Sequence, residues 1–305
     1  MSARVFEATL VDMQEGGLMT QTDKLAGATA LITGGSGAIG EACALTLLAD
    51  GATVVLLGRR EDKLNQSRAR LQQAVPGGTV EIFPGDALCT QDVEQAAAFA
   101  YGLRERLDIV LPTVGGGAFK PLLMQDLDGL RNELDLNIGS AFLAVRHAVP
   151  YMRAGGSIVC ISSTAATMPF PWLSGYCAGK AGLEAFIRCA ADELASAGVR
   201  LNAVRPGLTR SEATSGMFAS EDVLGAYREQ IPLGRTGEAG DIAAGVRYLA
   251  GPESSWVTGQ CFNIDGGQCL RRHPDMTDAV AQFYGEDALA AVMSGQPVAV
   301  THNDT

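Results

Sequence analysis

Thr33-Gly34-Gly35-Ser36-Gly37-Ala38-Ile39-Gly40 reveals the architecture of this chain through what stands on either side of it. Thr29 to Thr33 is a short apolar run of the kind that forms a buried strand. Beyond the glycines, Ile39, Cys43 and Leu47 follow at steps of four, one face of a helix that Gly51 closes. A glycine-rich turn between strand and helix lets a pyrophosphate approach the backbone, and the helix start adds unpaired N–H groups and the positive end of its dipole. Gly34, Ser36, Gly37, Ile39 and Gly40 are therefore candidate contacts to a dinucleotide.

The same alternation extends outward from this unit. Strands are predicted at Thr29 to Thr33, Thr53 to Leu57, Thr79 to Phe83, Ile109 to Leu111, Ser157 to Ser162, Arg200 to Val204 and Cys261 to Ile264, with helical spacing between them. The pattern predicts an α/β fold: one Rossmann domain over residues 25–270, a doubly wound seven-stranded parallel sheet with right-handed crossovers and helices on both faces. Residues 1–24 and 271–305 flank it as N- and C-terminal extensions without a readable motif.

Composition narrows the function classes. The 305 residues are 47% hydrophobic and 19% charged, the balance of a globular protein, and the net charge of −11 would repel a phosphate backbone, so nucleic acid is not an expected partner. The longest uncharged stretch, Ala154 to Gly179, is broken by glycine, proline and hydroxyl residues and does not read as a membrane span. Glu7, Asp12 and Glu15 interrupt the first residues, which lack the apolar core of a secretory signal; a cytoplasmic location is the expectation. Seven cysteines without a C-x-x-C pair predict neither a disulfide framework nor a metal site.

At the end of the second predicted strand stands Leu57-Gly58-Arg59-Arg60, where a fold of this type selective for NAD would carry a carboxylate for the ribose 2′-hydroxyl. Glycine leaves room there, and Arg59 with Arg60 can form charge-assisted bonds to a 2′-phosphate, so NADP is expected over NAD. Asp86, after the third strand, suits either the exocyclic amine of adenine or a turn.

Tyr176-Cys177-Ala178-Gly179-Lys180 puts a phenol and an ammonium on one helix face, and Ser163 lies at the end of the fifth predicted strand. With the glycine-rich turn, these residues resemble the short-chain dehydrogenase/reductase family, in its branch with a TGxxxGxG turn and a YxxxK site. Asn137 in Leu134-Asp135-Leu136-Asn137, Pro206-Gly207 and Asp265-Gly266-Gly267 match in the family's order. The resemblance implies hydride transfer between a nicotinamide and a secondary alcohol or ketone. It makes Tyr176 the proton donor or acceptor, has Ser163 hold the substrate oxygen and Lys180 the nicotinamide ribose, and gives Asn137 a water in the proton relay. It also sets Ala87, Val114, Gly115, Pro206, Gly207 and Thr209 along the cofactor. Chemically, a phenol of ordinary pKa about 10 needs adjacent positive charge to work near neutrality, which Lys180 and an oxidised nicotinamide would provide.

Two positions depart from the family. Ala38 replaces a glycine of the turn, with Gly37 beside it to compensate, and Pro112-Thr113-Val114-Gly115 replaces Asn-Asn-Ala-Gly after the fourth strand, which predicts local hydrogen bonding rebuilt around Thr113. Met168, Phe170 and Trp172, facing Met217, Phe218, Leu224 and Tyr227, predict an apolar substrate pocket with Arg210 near its rim. A 3-oxoacyl thioester reductase and an inactive nucleotide sensor are the alternatives. The small residues Ala178, Gly179, Ala181, Gly182, Ala185, Ala190 and Ala191 predict a two-fold helix interface in a homotetramer or homodimer. In the C-terminal extension, Val280, Phe283, Leu289 and Val292 are spaced for burial, with a neighbouring subunit as the expected partner.

Overall fold

The computed structural model describes residues 24–298, so nearly all of the N-terminal extension lies outside the described residues. Seven strands, β1 (Thr29–Thr33), β2 (Thr53–Gly58), β3 (Val80–Pro84), β4 (Leu107–Pro112), β5 (Met152–Ile161), β6 (Arg200–Pro206) and β7 (Cys261–Ile264), form one sheet in the order β3-β2-β1-β4-β5-β6-β7. Every pair is parallel. The helices that cover it are α1 (Ala38–Ala49), α2 (Glu61–Ala74), α3 (Thr90–Gly102), α4 (Leu127–Leu134), α5 (Ser140–Ala148) and α6 (Ser174–Ala195). The later ones are α7 (Ser215–Phe218), α8 (Glu221–Gln230), α9 (Ala239–Ala250), α10 (Thr277–Tyr284) and α11 (Glu286–Met293).

Strand alternation sends successive side chains to opposite layers. Ala30, Ile32, Val54, Leu56 and Val159 pack with Cys43 and Leu47 of α1, Leu64 of α2 and Ile242 and Val246 of α9. Leu31, Val55, Leu57, Ile158 and Cys160 pack on the other face with Val93 of α3, Ala144 of α5 and Leu183 and Ile187 of α6. Burying one such aliphatic side chain stabilises by about 1.5–3 kcal/mol, and the strands contribute them from both faces, which is why these runs are apolar without interruption. The chain reverses its direction of growth between β1 and β4, and this switch point opens a crevice at the carboxyl ends of those strands.

Two expectations need correction. β5 starts at Met152, ahead of the predicted Ser157, and ends at Ile161, so Ser163 is not the strand's last residue; it caps the short 3₁₀ turn Thr164–Ala166, and its hydroxyl accepts from the Ala165 N–H at 3.2 Å. The early start was hidden because Arg153 to Gly155 are exposed and Gly155 adopts φ +94°, which breaks the apolar pattern. The small residues of α6 also divide. Gly179 and Gly182 face Asn137 and Ile138 of the same chain, where a Cβ would come within 2.9 and 2.6 Å, and Ala190 and Ala191 lie in the sheet core. Only Ala178, Ala181 and Ala185 face outward.

Candidate active site

Two loops meet across the switch point. After β1, Gly34 takes φ +68°, and a Cβ there would reach 2.7 Å from Thr113 Oγ1, so glycine is required by conformation and by space. Gly37 is the exposed N-cap of α1 and makes no side-chain cap, which leaves the helix start open to an anionic group. Ala38 opens the helix without disturbing this turn: the Gly37 N–H donates to Gly34 O at 3.0 Å, and Gly40 lies so close to Gly34 O that a Cβ would stand 2.5 Å away. Ser36 and Ile39 are half-buried beside it. This donor set fits a dinucleotide pyrophosphate.

After β4, the rebuilt hydrogen bonding expected at Thr113 is present. Pro112 pairs with Thr33 at the end of both strands, and Thr113 donates to Thr33 O through its N–H at 3.3 Å and its Oγ1 at 2.6 Å. The chain then runs through Gly115, Gly116 and Gly117. A Cβ on Gly115 would lie 2.6 Å from Lys180 Nζ and 2.8 Å from Asn137 Oδ1, and one on Gly117 would lie 2.5 Å from Tyr176 Cβ. Gly115 and Gly117 are held to glycine because Lys180, Asn137 and Tyr176 press on their backbone, whereas Gly116 has room for a Cβ.

Asn137 is fully buried in a π-helical turn, Asp135–Gly139, between α4 and α5, a local irregularity often found at functional sites. Its amide clasps Gly116: Nδ2 donates to Gly116 O at 2.7 Å and to Glu133 O at 2.8 Å, and Oδ1 accepts from the Gly116 N–H at 3.1 Å. Tyr176 and Lys180 rise from the first turns of α6. Lys180 Nζ donates to Ile161 O at 2.8 Å and lies 5.9 Å from the centre of the Tyr176 ring. Burial lowers Lys180 to about 8, with Cys160 and Glu184 opposing. Burial also pushes the Tyr176 phenol up, while the side-chain hydrogen bond it shares with Ser163 pulls it down. In the protein alone burial outweighs the other influences on the phenol, and Lys180 Nζ is directed to the Ile161 carbonyl. Ser163, Tyr176, Lys180 and Asn137 nonetheless meet in one place.

The remaining cofactor candidates spread along the crevice. Arg59 is exposed and makes no ion pair or side-chain hydrogen bond among the described residues. Arg60 instead lies 3.6 Å from Glu212, a residue of the segment between β6 and α7 that Lys63 also holds at 2.8 Å, and the Lys63 hydrogen bond holds the Glu212 carboxyl below its usual range. Asp86 accepts from the Leu88 N–H at 3.0 Å, the turn role, next to buried Ala87. Val114 is half-buried between Thr113 and Gly115. Pro206 ends β6, the Gly207 N–H donates to Ile264 O at 3.1 Å, and Thr209 Oγ1 donates back to Gly207 O at 3.0 Å.

A separate apolar cluster adjoins Tyr176: Phe170, Leu173, Leu208, Leu224, Tyr227 and Met276 at its centre, with Phe119, Trp172, Met217 and Phe218 around them. Met168 is not part of it. The Tyr227 phenol is pushed up by burial and by its nearness to Tyr176. Arg210 lies over the Phe218 ring at 4.2 Å and pairs with Glu238 at 3.4 Å. Sequence reasoning missed Glu184, a buried carboxylate that accepts from Arg205 at 2.6 Å through both oxygens and from Ser162 Oγ at 2.7 Å, tying α6 to the ends of β5 and β6. Its position four residues after Lys180 was the available signal.

A family model described as enoyl-(acyl carrier protein) reductase matches residues 34–268, and a glucose 1-dehydrogenase of Gluconobacter oxydans is 33% identical over 254 residues, 81% of this chain and 94% of that protein. The chain belongs to the short-chain dehydrogenase/reductase family. Membership makes it an oxidoreductase with a nicotinamide cofactor. A 3-oxoacyl-[acyl-carrier-protein] reductase of Synechocystis is 33% identical over 253 residues, 79% of this chain and 96% of that protein. A short-chain type dehydrogenase/reductase structure from Mycobacterium ulcerans superposes with TM-score 0.82 at 34% identity, covering 86% of this chain and 97% of that one. Among the described residues no helix is long and apolar enough to cross a membrane.

Proposed function

We propose that this member of the family is an NADP(H)-dependent oxidoreductase that interconverts an apolar ketone and its secondary alcohol. The observation that carries the reading is the convergence of Tyr176 and Lys180 on the Gly115–Gly117 backbone, with Ser163 hydrogen-bonded to Tyr176 and an apolar side-chain cluster directly beside Tyr176. The nicotinamide, when bound, supplies or accepts the hydride. Gly34, Ser36, Gly37, Ile39 and Gly40 would hold its pyrophosphate, and Asp86, Ala87, Val114, Gly115, Pro206, Gly207 and Thr209 would contact the rest of the cofactor. Ser163 offers a preplaced hydrogen bond to the substrate oxygen, where charge grows in the transition state. Tyr176, kept protonated by burial, delivers its proton to that oxygen in reduction. Lys180 binds the ribose, and Asn137 fixes the Gly116 backbone beneath it.

NADP is favoured by Gly58, Arg59 and Arg60 and by the absence of a carboxylate at the end of β2. Arg59→Ala is expected to weaken NADPH by about 1.5–3 kcal/mol and leave NADH nearly unchanged, as read by direct titration of each; equal losses would sink the assignment. A 3-oxoacyl thioester is the second reading, favoured by the Synechocystis relative and opposed by the net charge of −11, which suits an acidic carrier poorly. A nucleotide sensor would bind cofactor without turnover, so a screen of ketones by cofactor absorbance separates the three. A homotetramer, or else a dimer, is supported by exposed Phe142 on α5, Tyr248 on α9 and Phe262 on β7, and light scattering tests it.

A further inference from the structure

The family match ends at residue 268, yet the chain beyond it returns to the substrate side. Met276 is buried in the apolar cluster beside Tyr176, Ala279 of α10 packs against it, and Tyr284 Oη donates to Phe119 O at 2.9 Å. Val280, Leu289 and Val292 are buried within this same chain, so the helical spacing of the extension is explained by its own fold, with Phe283 left exposed.

His273 lies at the start of this segment, its ring stacked on Phe170 at 3.9 Å with an interplanar angle of 6°. Phe170 in turn meets Phe119 and Tyr227 edge-on, at the centre of the cluster. The tautomer follows from a buried neighbour. Gln268 Oε1 accepts from the Leu208 N–H at 3.4 Å, so its Nε2 is the end that reaches His273 Nδ1 at 3.2 Å and donates to it. The ring proton is thereby left on Nε2. That Nε2–H is buried and has no acceptor among the described residues. Burial holds the imidazole near a pKa of about 4, so it is neutral at physiological pH.

A second buried donor borders the same cluster. Trp172 Nε1 has no partner among the described residues, and its residue is held at φ +72°, a region that a bulky side chain rarely adopts, while its carbonyl accepts from the Lys120 N–H at 2.7 Å. Buried polar groups are almost always satisfied, and N–H groups without acceptors against the cluster that holds Tyr176 point to an acceptor that arrives with the ligand. A carboxylate would be stripped of water in this apolar setting, and Arg210 at the rim is paired with Glu238. A neutral oxygen suits it better.

We propose that His273, carried by the C-terminal extension, is a specificity residue whose Nε2–H bonds a neutral acceptor oxygen, a second carbonyl or an ester, on an otherwise apolar carbonyl substrate. The proposal rests on the ketone reading above. It is tested with two probes of equal main-chain length, ethyl 4-oxopentanoate, which carries an ester carbonyl, and octan-2-one, which does not. His273→Phe keeps an aromatic ring against Phe170 and removes the donor; His273→Gln restores an N–H. The expected result is that His273→Phe lowers kcat/KM for the keto ester by about fivefold to tenfold, leaves octan-2-one within about twofold, and that His273→Gln recovers part of the loss. Equal losses on both probes would show a packing role and overturn the proposal, as would no change on either. If the wild-type protein reduces neither probe with either cofactor, the ketone reading falls and this proposal with it; turnover of both probes with no His273 effect overturns the proposal alone.

Discussion

Around β1 and β4 the crevice is made of backbone: Gly34, Gly37 and Gly40 shape the turn, Thr113 closes onto Thr33 O, and the Gly115–Gly117 run lies bare against its neighbours. Beyond β5 the opposite wall is made of side chains, from the segment before α6, the segment after β6 and the extension after β7. The first wall is fixed by strand register and by glycines such as Gly34, Gly40, Gly115 and Gly117, where a Cβ would collide with its neighbours. The second depends on packing between segments far apart in sequence. A region built on backbone geometry suits a ligand shared by a whole family, whereas one built on loop side chains can change its ligand without altering the sheet.

The largest effect expected from breaking this comparison falls at the seam. Tyr176→Phe removes the proposed proton donor and should cut turnover by about a thousandfold, while cofactor affinity, assigned above to the backbone wall, stays within about twofold. Retention of most of the rate would mean another group acts as the acid. Gly117→Ala attacks the seam from the other side, since the new methyl must displace Tyr176 from a distance of 2.5 Å. About a hundredfold loss in kcat/KM is expected, with cofactor titration little changed, because a misplacement of the reacting group of this size is costly. A loss confined to cofactor binding would place Gly117 on the wrong wall.

Lys180 shows that function and stability oppose each other at the same seam. Burial lowers its pKa from 10.5 to about 8, so below pH 8 the fold holds a charge it disfavours. Between those two values the native state binds fewer protons than the unfolded one, and this contribution to stability rises with pH. Lys180→Met should therefore be inactive yet more stable at pH 7, on the order of 2 kcal/mol once the lost bond to Ile161 O is allowed for, and the gain should fade toward pH 10.5. Thermal melts at pH 7 and 9.5 check this; a gap that does not narrow refutes the argument. The smallest effect is sought within the backbone wall: Thr113→Val keeps the side-chain volume and removes the Oγ1 bond to Thr33 O, for a loss of about 1 kcal/mol by denaturant titration. No measurable loss would show that the Thr113 N–H alone closes the strand end.

Residues that act through local spacing were legible without the structure. The turn at Gly34 to Gly40, the strands around it and the Tyr176 to Lys180 pair each lie within one element or one turn, where period and residue type carry the information. Even the replacement of the usual amides by Thr113 could be anticipated, because Pro112 removes a donor that something nearby must replace. Less was legible where exposed residues or glycine interrupt a pattern, as at Met152 to Gly155, or where a small residue faces its own chain instead of a partner, as at Gly179 and Gly182.

The sequence by itself determined the seven-stranded α/β architecture and the glycine-rich strand-to-helix turn, since each depends on burial patterns repeated over a few residues, while the Ser163, Asn137, Tyr176 and Lys180 set was legible through the family resemblance. Only the tertiary structure decided that Glu184 ties α6 to Arg205 and Ser162, that Glu212 engages Arg60 and Lys63, and that His273 stacks on Phe170 above the substrate side. Those contacts join residues 21 to more than 100 positions apart. Nothing in local periodicity encodes which distant side chains meet, because that choice is made by the packing of whole elements against one another.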